Sequence, residues 1–194
     1  MATPNEKLAE SLEALKELQD KKITAIKTDE LSRVHRERLL RSGFIKEIVK
    51  GWYILVPTHE KQGDSTSWYV SYWHFCARYL EDRYGDSYSL SPEQSIFIHS
   101  GDWTVPQQLI IRSPEGSNSL TPLPFETSLF SMKLANPKAA EFTTIEGLRM
   151  LTLPCSLIYC SATMFTANPT DIRTALSLIR DSSEILGLLL EGGH

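Results

Sequence analysis

The chain has 194 residues, of which 41% are hydrophobic and 23% charged, a composition that excludes a mostly disordered protein. No apolar run approaches the ~18 residues of a membrane helix, and Met1-Ala2-Thr3-Pro4-Asn5-Glu6 lacks the basic and apolar blocks of a secretory signal. The net charge of −4 is uneven: residues 1–57 carry +2 and residues 58–194 carry −6.

Thr3-Pro4-Asn5-Glu6 has the pattern of a capping box with proline at the first helical position. Leu8, Leu12, Leu15 and Leu18 follow at helical spacing, which predicts a helix ending near Lys21 with one buried stripe. Ile23 to Ile26 reads as a small strand. Thr28 is placed to cap a second short helix, with Leu31 and Val34 facing inward. A turn near His35 then leads to a third helix, Arg36 to Ser42, closed by Gly43. Phe44–Ile48 and Trp52–Val56 are β-branched and aromatic, and Val49-Lys50-Gly51 supplies the turn between them. Helices followed by a hairpin give the element order of a winged helix-turn-helix, whose third helix enters the major groove of double-stranded DNA.

Arg33, Arg36, Arg38, Arg41, Lys46 and Lys50 stand in this stretch against only Glu37 and Glu47, a local charge of +4. Such a cluster in an acidic protein suits a polyanion, and these six are the expected DNA-binding residues. Arg36, Arg38, Arg41, Lys46 and Lys50 are expected to share one exposed face.

Residues 58–66 are polar and read as a linker, giving a winged helix-turn-helix at 1–57 and an α+β domain at 67–194. Trp68, Tyr72, Phe75 and Tyr79 recur at helical spacing, an aromatic stripe expected to be core, with a base-stacking platform as the alternative. His74 and Cys76 are read as packing residues. Ser91 to Ser100 reads as a helix ended by Gly101; Gln107–Arg112, Thr127–Met132 and Gly147–Leu153 read as strands, with Ser113–Pro124 as loop between them. Pro154–Ser161 reads as a short helix. A last helix starts at Asn168-Pro169-Thr170-Asp171, with Ile172, Leu176, Ile179, Leu186 and Leu189 facing inward. The fold class expected is α+β.

Leu31-Ser32-Arg33, Arg36-x-x-Leu39, Arg41-x-Gly43-x-Ile45 and Lys50-Gly51-x-Tyr53 resemble the N-terminal winged helix of AbiEi-type antitoxins. Those are autorepressing regulators of type IV toxin–antitoxin systems. Longer strings in the second half, among them His99-Ser100-Gly101-Asp102-Trp103-Thr104-Val105-Pro106 and Leu123-Pro124-Phe125-Glu126-Thr127-Ser128-Leu129-Phe130, resemble the region that precedes Fic domains in bacterial cell-filamentation proteins. Asn168-Pro169-Thr170-Asp171 and Leu190-Glu191-Gly192-Gly193-His194 belong to the same resemblance, which spans essentially the whole chain. It implies a cytoplasmic bacterial regulator that binds an operator, a homodimer, and a Fic domain or toxin as partner. A truncated piece of a longer Fic protein is expected. The alternative it implies is a module that docks proteins or restrains an attached Fic adenylyltransferase without binding DNA.

The chemistry of an enzyme is not expected in this chain. The Fic motif His-Pro-Phe-x-x-Gly-Asn-Gly-Arg does not occur, nor does a Gly-x-Gly-x-x-Gly or a P-loop. Three cysteines are too few for a disulfide framework and fit a reducing compartment. Cys155 and Cys160 are five apart, without the CxxC pairing of a zinc site, so no metal or cofactor is expected. His99-Ser100-Gly101-Asp102 is read as a helix end and turn, since a catalytic triad converges from separate elements.

Overall fold

The computed structural model describes residues 3–57, 60–61, 63–137 and 140–192. They pack as two compact units: the residues up to Tyr79 with Leu123–Phe125, and Leu80–Pro122 with Glu126 onward. Residues 58, 59 and 62 of the expected linker and the terminal Gly193-His194 lie outside the described residues, and Thr66 already begins a helix. The architecture mixes helices and strands, as expected of an α+β chain.

In the first unit, α1 (Pro4–Asp20) starts with the reciprocal box: the Glu6 N–H donates to the Thr3 hydroxyl and the Thr3 N–H to the Glu6 carboxylate. Leu15 and Leu18 are buried, but Leu8 and Leu12, expected beside them, are half-buried because each borders an open groove. β1 (Ala25–Lys27) follows, then a single 3₁₀ turn at Thr28–Glu30 where a second helix was expected. The next helix, α2 (Arg33–Arg41), begins earlier than expected because the Ser32 hydroxyl accepts from the His35 N–H and so caps it. His35 therefore lies inside the helix, with its Nδ1 2.9 Å from the Ser11 hydroxyl of α1, and Val34 is 53% exposed rather than inward.

Gly43, at φ +75°, ends α2 in the left-handed conformation that glycine adopts without strain. β2 (Ile45–Val49) and β3 (Trp52–Leu55) form the expected hairpin, and the antiparallel sheet runs β1-β3-β2. On one face, Ile26, Ile45 and Tyr53 form a core with Leu15, Leu18 and Leu39. On the other, Trp52 meets Phe75 and Tyr79 of α3 (Thr66–Tyr84) edge-on at 6.1 and 5.9 Å. Trp68, Tyr72 and Phe75 are at most 1% exposed, so the aromatic stripe is core and is not available to stack on bases. Each such side chain contributes about 1.5–3 kcal/mol of hydrophobic burial.

The second unit is built on a four-stranded sheet, β4-β5-β7-β6, made of β4 (Ser89–Leu90), β5 (Gln108–Ser113), β6 (Ser119–Pro122) and β7 (Ser128–Lys133). β5 and β7 are parallel; the other pairs are antiparallel. β6 lies inside the stretch expected to be loop. It is an edge strand, a place in a sheet where the missing N–H of Pro122 is harmless. β8 (Phe142–Ile145) and β9 (Leu148–Leu151) form a separate hairpin. Its turn, Glu146-Gly147, has φ of +49° and +78°, the two positive values of a type I′ turn, so Gly147 is turn rather than strand.

α4 (Pro92–His99) is capped by Ser91 as expected. After β9 the chain is helical: α5 (Leu153–Tyr159), α6 (Ala162–Ala167), α7 (Pro169–Leu178) and α8 (Ser182–Gly192). The expected last helix is thus two. Ile179 is extended at ψ 114°, which resets the helical phase. Ile172 and Leu188 are buried, whereas Leu176 and Leu186, expected inward, are exposed.

Candidate nucleic-acid interface

At about 100° per residue, Arg33, Glu37 and Arg41 fall on one outward line of α2 with Val34 beside them. All four are exposed. The inward side holds Leu39, fully buried, and Leu40, packed against the same core. Arg33 Nε donates to Glu37 Oε1 at 2.7 Å in an ion pair exposed on both sides, which costs little to exchange for another anion.

Arg36 and Arg38 are not on that line. Arg36 turns back into the protein: its Nη1 donates to the carbonyls of Thr28 (2.8 Å) and Leu31 (3.3 Å), and the guanidinium lies 5.9 Å from the centre of the Tyr53 ring. Thr28 in turn donates its N–H and its hydroxyl to the Gly51 carbonyl, each at 2.9 Å. Arg36 therefore ties α2 to the hairpin tip. Arg38 Nη1 donates to the Lys7 carbonyl of α1 at 3.0 Å and stands 3.9 Å from Glu10.

Lys46 faces the other way. Ile45 belongs to the helix-facing core, so strand alternation sends Lys46 to the α3 side of the sheet, where its ammonium lies 5.3 Å from the centre of the Phe125 ring. Lys50 is exposed at the hairpin tip. The shared face expected for Arg36, Arg38, Arg41, Lys46 and Lys50 is thus divided among an outward line, two internal clamps, a hairpin tip and the opposite side of the sheet. Of the six expected residues, Arg33, Arg41 and Lys50 are the ones with no carbonyl or ring partner among the described residues, Arg33 being paired with Glu37.

One cation was not anticipated. Lys7 lines an open groove of about 370 Å³ with Arg38 and Arg41, between the start of α1 and the end of α2. The cue lies in the sequence: a lysine in the first turn of a helix opposes the helix dipole, where acids are favoured. Lys7 and Arg41 along this groove, with Arg38 between them tied to the Lys7 carbonyl, suit phosphate oxygens, for which arginine is the planar, bidentate donor.

Behind this surface a half-buried polar cluster locks β1 to α3. Arg78 donates from Nη1 and Nη2 to both oxygens of Glu30 (3.0 and 2.7 Å) and to the Ala25 carbonyl, while Glu30 also accepts the Lys27 N–H at 2.7 Å. Burial pushes the Glu30 carboxyl up, but the Arg78 and Lys27 bonds and charges outweigh it and hold it below its ordinary value. His74, read from sequence as a packing residue, accepts the Ala25 N–H on Nδ1 at 3.2 Å, with the Thr24 hydroxyl 2.7 Å away. Burial first, and then the Arg78 charge, lower its pKa. Burial raises the Cys76 thiol far above its ordinary range, which makes it an inert core residue.

In the second unit His99 Nε2 lies 2.9 Å from the Leu151 carbonyl, so it must carry the proton. Asp102 accepts the Thr104 N–H at 2.8 Å and the Ser100 hydroxyl faces the Asp171 carbonyl at 3.3 Å, so His99, Ser100 and Asp102 have separate partners, as a helix end and turn require. No cluster of three or more His, Cys, Asp or Glu suited to a metal occurs among the described residues, and no described helix is long and apolar enough to cross a membrane. No protein-family model matches the chain, and no curated protein matches it.

Proposed function

We propose that the first unit is a double-stranded-DNA-binding module of winged-helix type, AbiEi-antitoxin-like, acting in a bacterial regulator that represses through an operator. The observation that carries this reading is the outward line of α2, with Arg33, Val34, Glu37 and Arg41 all exposed on a helix whose other side is packed. The order helix, strand, helix, hairpin and the sheet order β1-β3-β2 support it. The unit departs from a full helix-turn-helix in that the middle helix is reduced to the Thr28–Glu30 turn, and Arg36 takes over the work of fixing α2 against the hairpin.

On this reading α2 lies in the major groove. Arg33 or Arg41 reaches the O6/N7 edge of guanine, and Val34 is an exposed apolar contact for a thymine methyl. Lys7 and Lys50 flank the helix and take phosphates. Fluorescence anisotropy with a labelled duplex from the protein's own promoter tests it. Arg41→Ala is expected to weaken binding at least tenfold with folding unchanged; equal affinity of Arg41→Ala and the parent protein would count against α2 as the reading helix.

The second reading, a protein-docking or Fic-restraining module, is favoured by one feature. Leu186 and Leu190, one turn apart on α8, are 58% and 74% exposed, a stripe suited to an apolar partner surface. Duplex binding lost on Arg41→Ala but kept on Leu190→Glu separates the two.

A further inference from the structure

The first unit holds a second concavity, farther along α1 than the Lys7 groove. It encloses about 500 Å³, within the ~300–1,000 Å³ typical of small-molecule sites. Its apolar wall comes from three elements: Leu12 and Leu15 of α1, Phe44 and Leu55 from the ends of the hairpin, and Val70 of α3. None of its lining residues among those described is ionisable. Most of its polar groups already have partners. Ser67 donates its hydroxyl to Glu60 at 2.6 Å, Thr66 to Asp64 at 2.7 Å, and the Thr24 hydroxyl is 2.7 Å from His74. The Gln19 amide lies at the rim, on an exposed residue.

We infer that this cavity is a binding site for an uncharged, mainly apolar small molecule with at most one or two hydrogen-bonding groups. A carboxylate or phosphate would find no cation among the described lining residues and would lose its hydration. An apolar molecule would cover Val70, which is 77% exposed, and Leu12, and would join α1, the sheet and α3 at once. The site also reaches the segment that follows α2. Phe44 lines it and follows Gly43, the residue that ends α2.

The test uses the whole chain and N-phenyl-1-naphthylamine, an uncharged dye that fluoresces in apolar surroundings. A saturable, one-to-one rise in emission is expected. Val70→Trp, which fills the mouth from an exposed position, should weaken it at least tenfold. Gln19→Glu, which sets a charge at the rim, should weaken it several-fold. Both variants should keep the parent's circular dichroism and melting temperature. Leu190→Glu should bind the dye like the parent. Non-saturable emission, or loss of signal with Leu190→Glu and none with Val70→Trp, would overturn the site. A dye that binds as the parent does after both cavity substitutions would do the same. None of these steps involves DNA, so a failure of duplex binding would fall on the nucleic-acid reading alone.

Discussion

Arg36 and Arg41 sit on the same nine-residue helix and have different work. Arg36 holds two backbone carbonyls and lies against Tyr53, so its removal strands part-buried acceptors. Arg36→Ala is expected to destabilise the first unit by about 2 kcal/mol, read from urea unfolding, with affinity lost only as folding is lost. Arg41→Ala should leave stability within roughly 0.5 kcal/mol and act on binding alone. The His74–Arg78–Glu30 cluster gives a pH dependence. His74 is held below its ordinary 6.5 in the fold, so between the two values the unfolded chain binds more protons. Its contribution is complete above about pH 6.5 and is lost as pH falls through the lowered folded value. Glu30, held below 4.5, adds a second loss at lower pH, present above that value and gone once its folded pKa is passed. Urea midpoints should therefore fall from pH 7.5 to 5 in the parent protein, and His74→Gln should flatten that upper part of the profile while leaving the lower loss in place.

At the scale of elements, backbone geometry decides what sequence pattern does not. Caps were legible: Thr3, Ser91 and the glycine after α2 announce their helix ends through side-chain chemistry that needs no tertiary context. The aromatic stripe was legible from its helical spacing, and the Trp52–Leu55 strand from its run of aromatic and branched residues. β6 was not. Its Ser-Leu-Thr-Pro reads as loop, and it is a strand only because β7 offers an unpaired edge. The break at Ile179 was invisible too, since Leu and Ile continue at helical spacing on both sides of it. The site was half legible. The charge cluster was found, but a cluster in sequence carries no sign of which arginines will be drawn inward by carbonyls, and Lys7 is remote from it in the chain. Close approach gives a sharp expectation at Gly116, where an added Cβ would come within 2.5 Å of the Met132 carbonyl oxygen. Gly116→Ala must move the backbone beside β7 and is expected to destabilise the second unit by about 2 kcal/mol or more, seen as a lower urea midpoint.

Over the whole molecule the charge is segregated. The first unit carries 13 Lys and Arg against 11 Asp and Glu, and the second carries 7 against 13. The second unit's excess of acids disfavours a polyanion, so on the proposed reading duplex affinity comes from the first unit, chiefly from Lys7, Arg33, Arg41 and Lys50. With Arg33 or Arg41 on a base, roughly three phosphates are neutralised, and each releases counterions. The direct measurement is the affinity for the promoter duplex, by fluorescence anisotropy, across a salt series. Log K against log salt should fall with a slope of about −3, and Lys50→Ala or Lys7→Ala should flatten it by about one unit on promoter and scrambled duplex alike. No binding of either duplex at low salt, or a slope that none of Lys7, Arg41 and Lys50 alters, would contradict a DNA-binding surface built on α2.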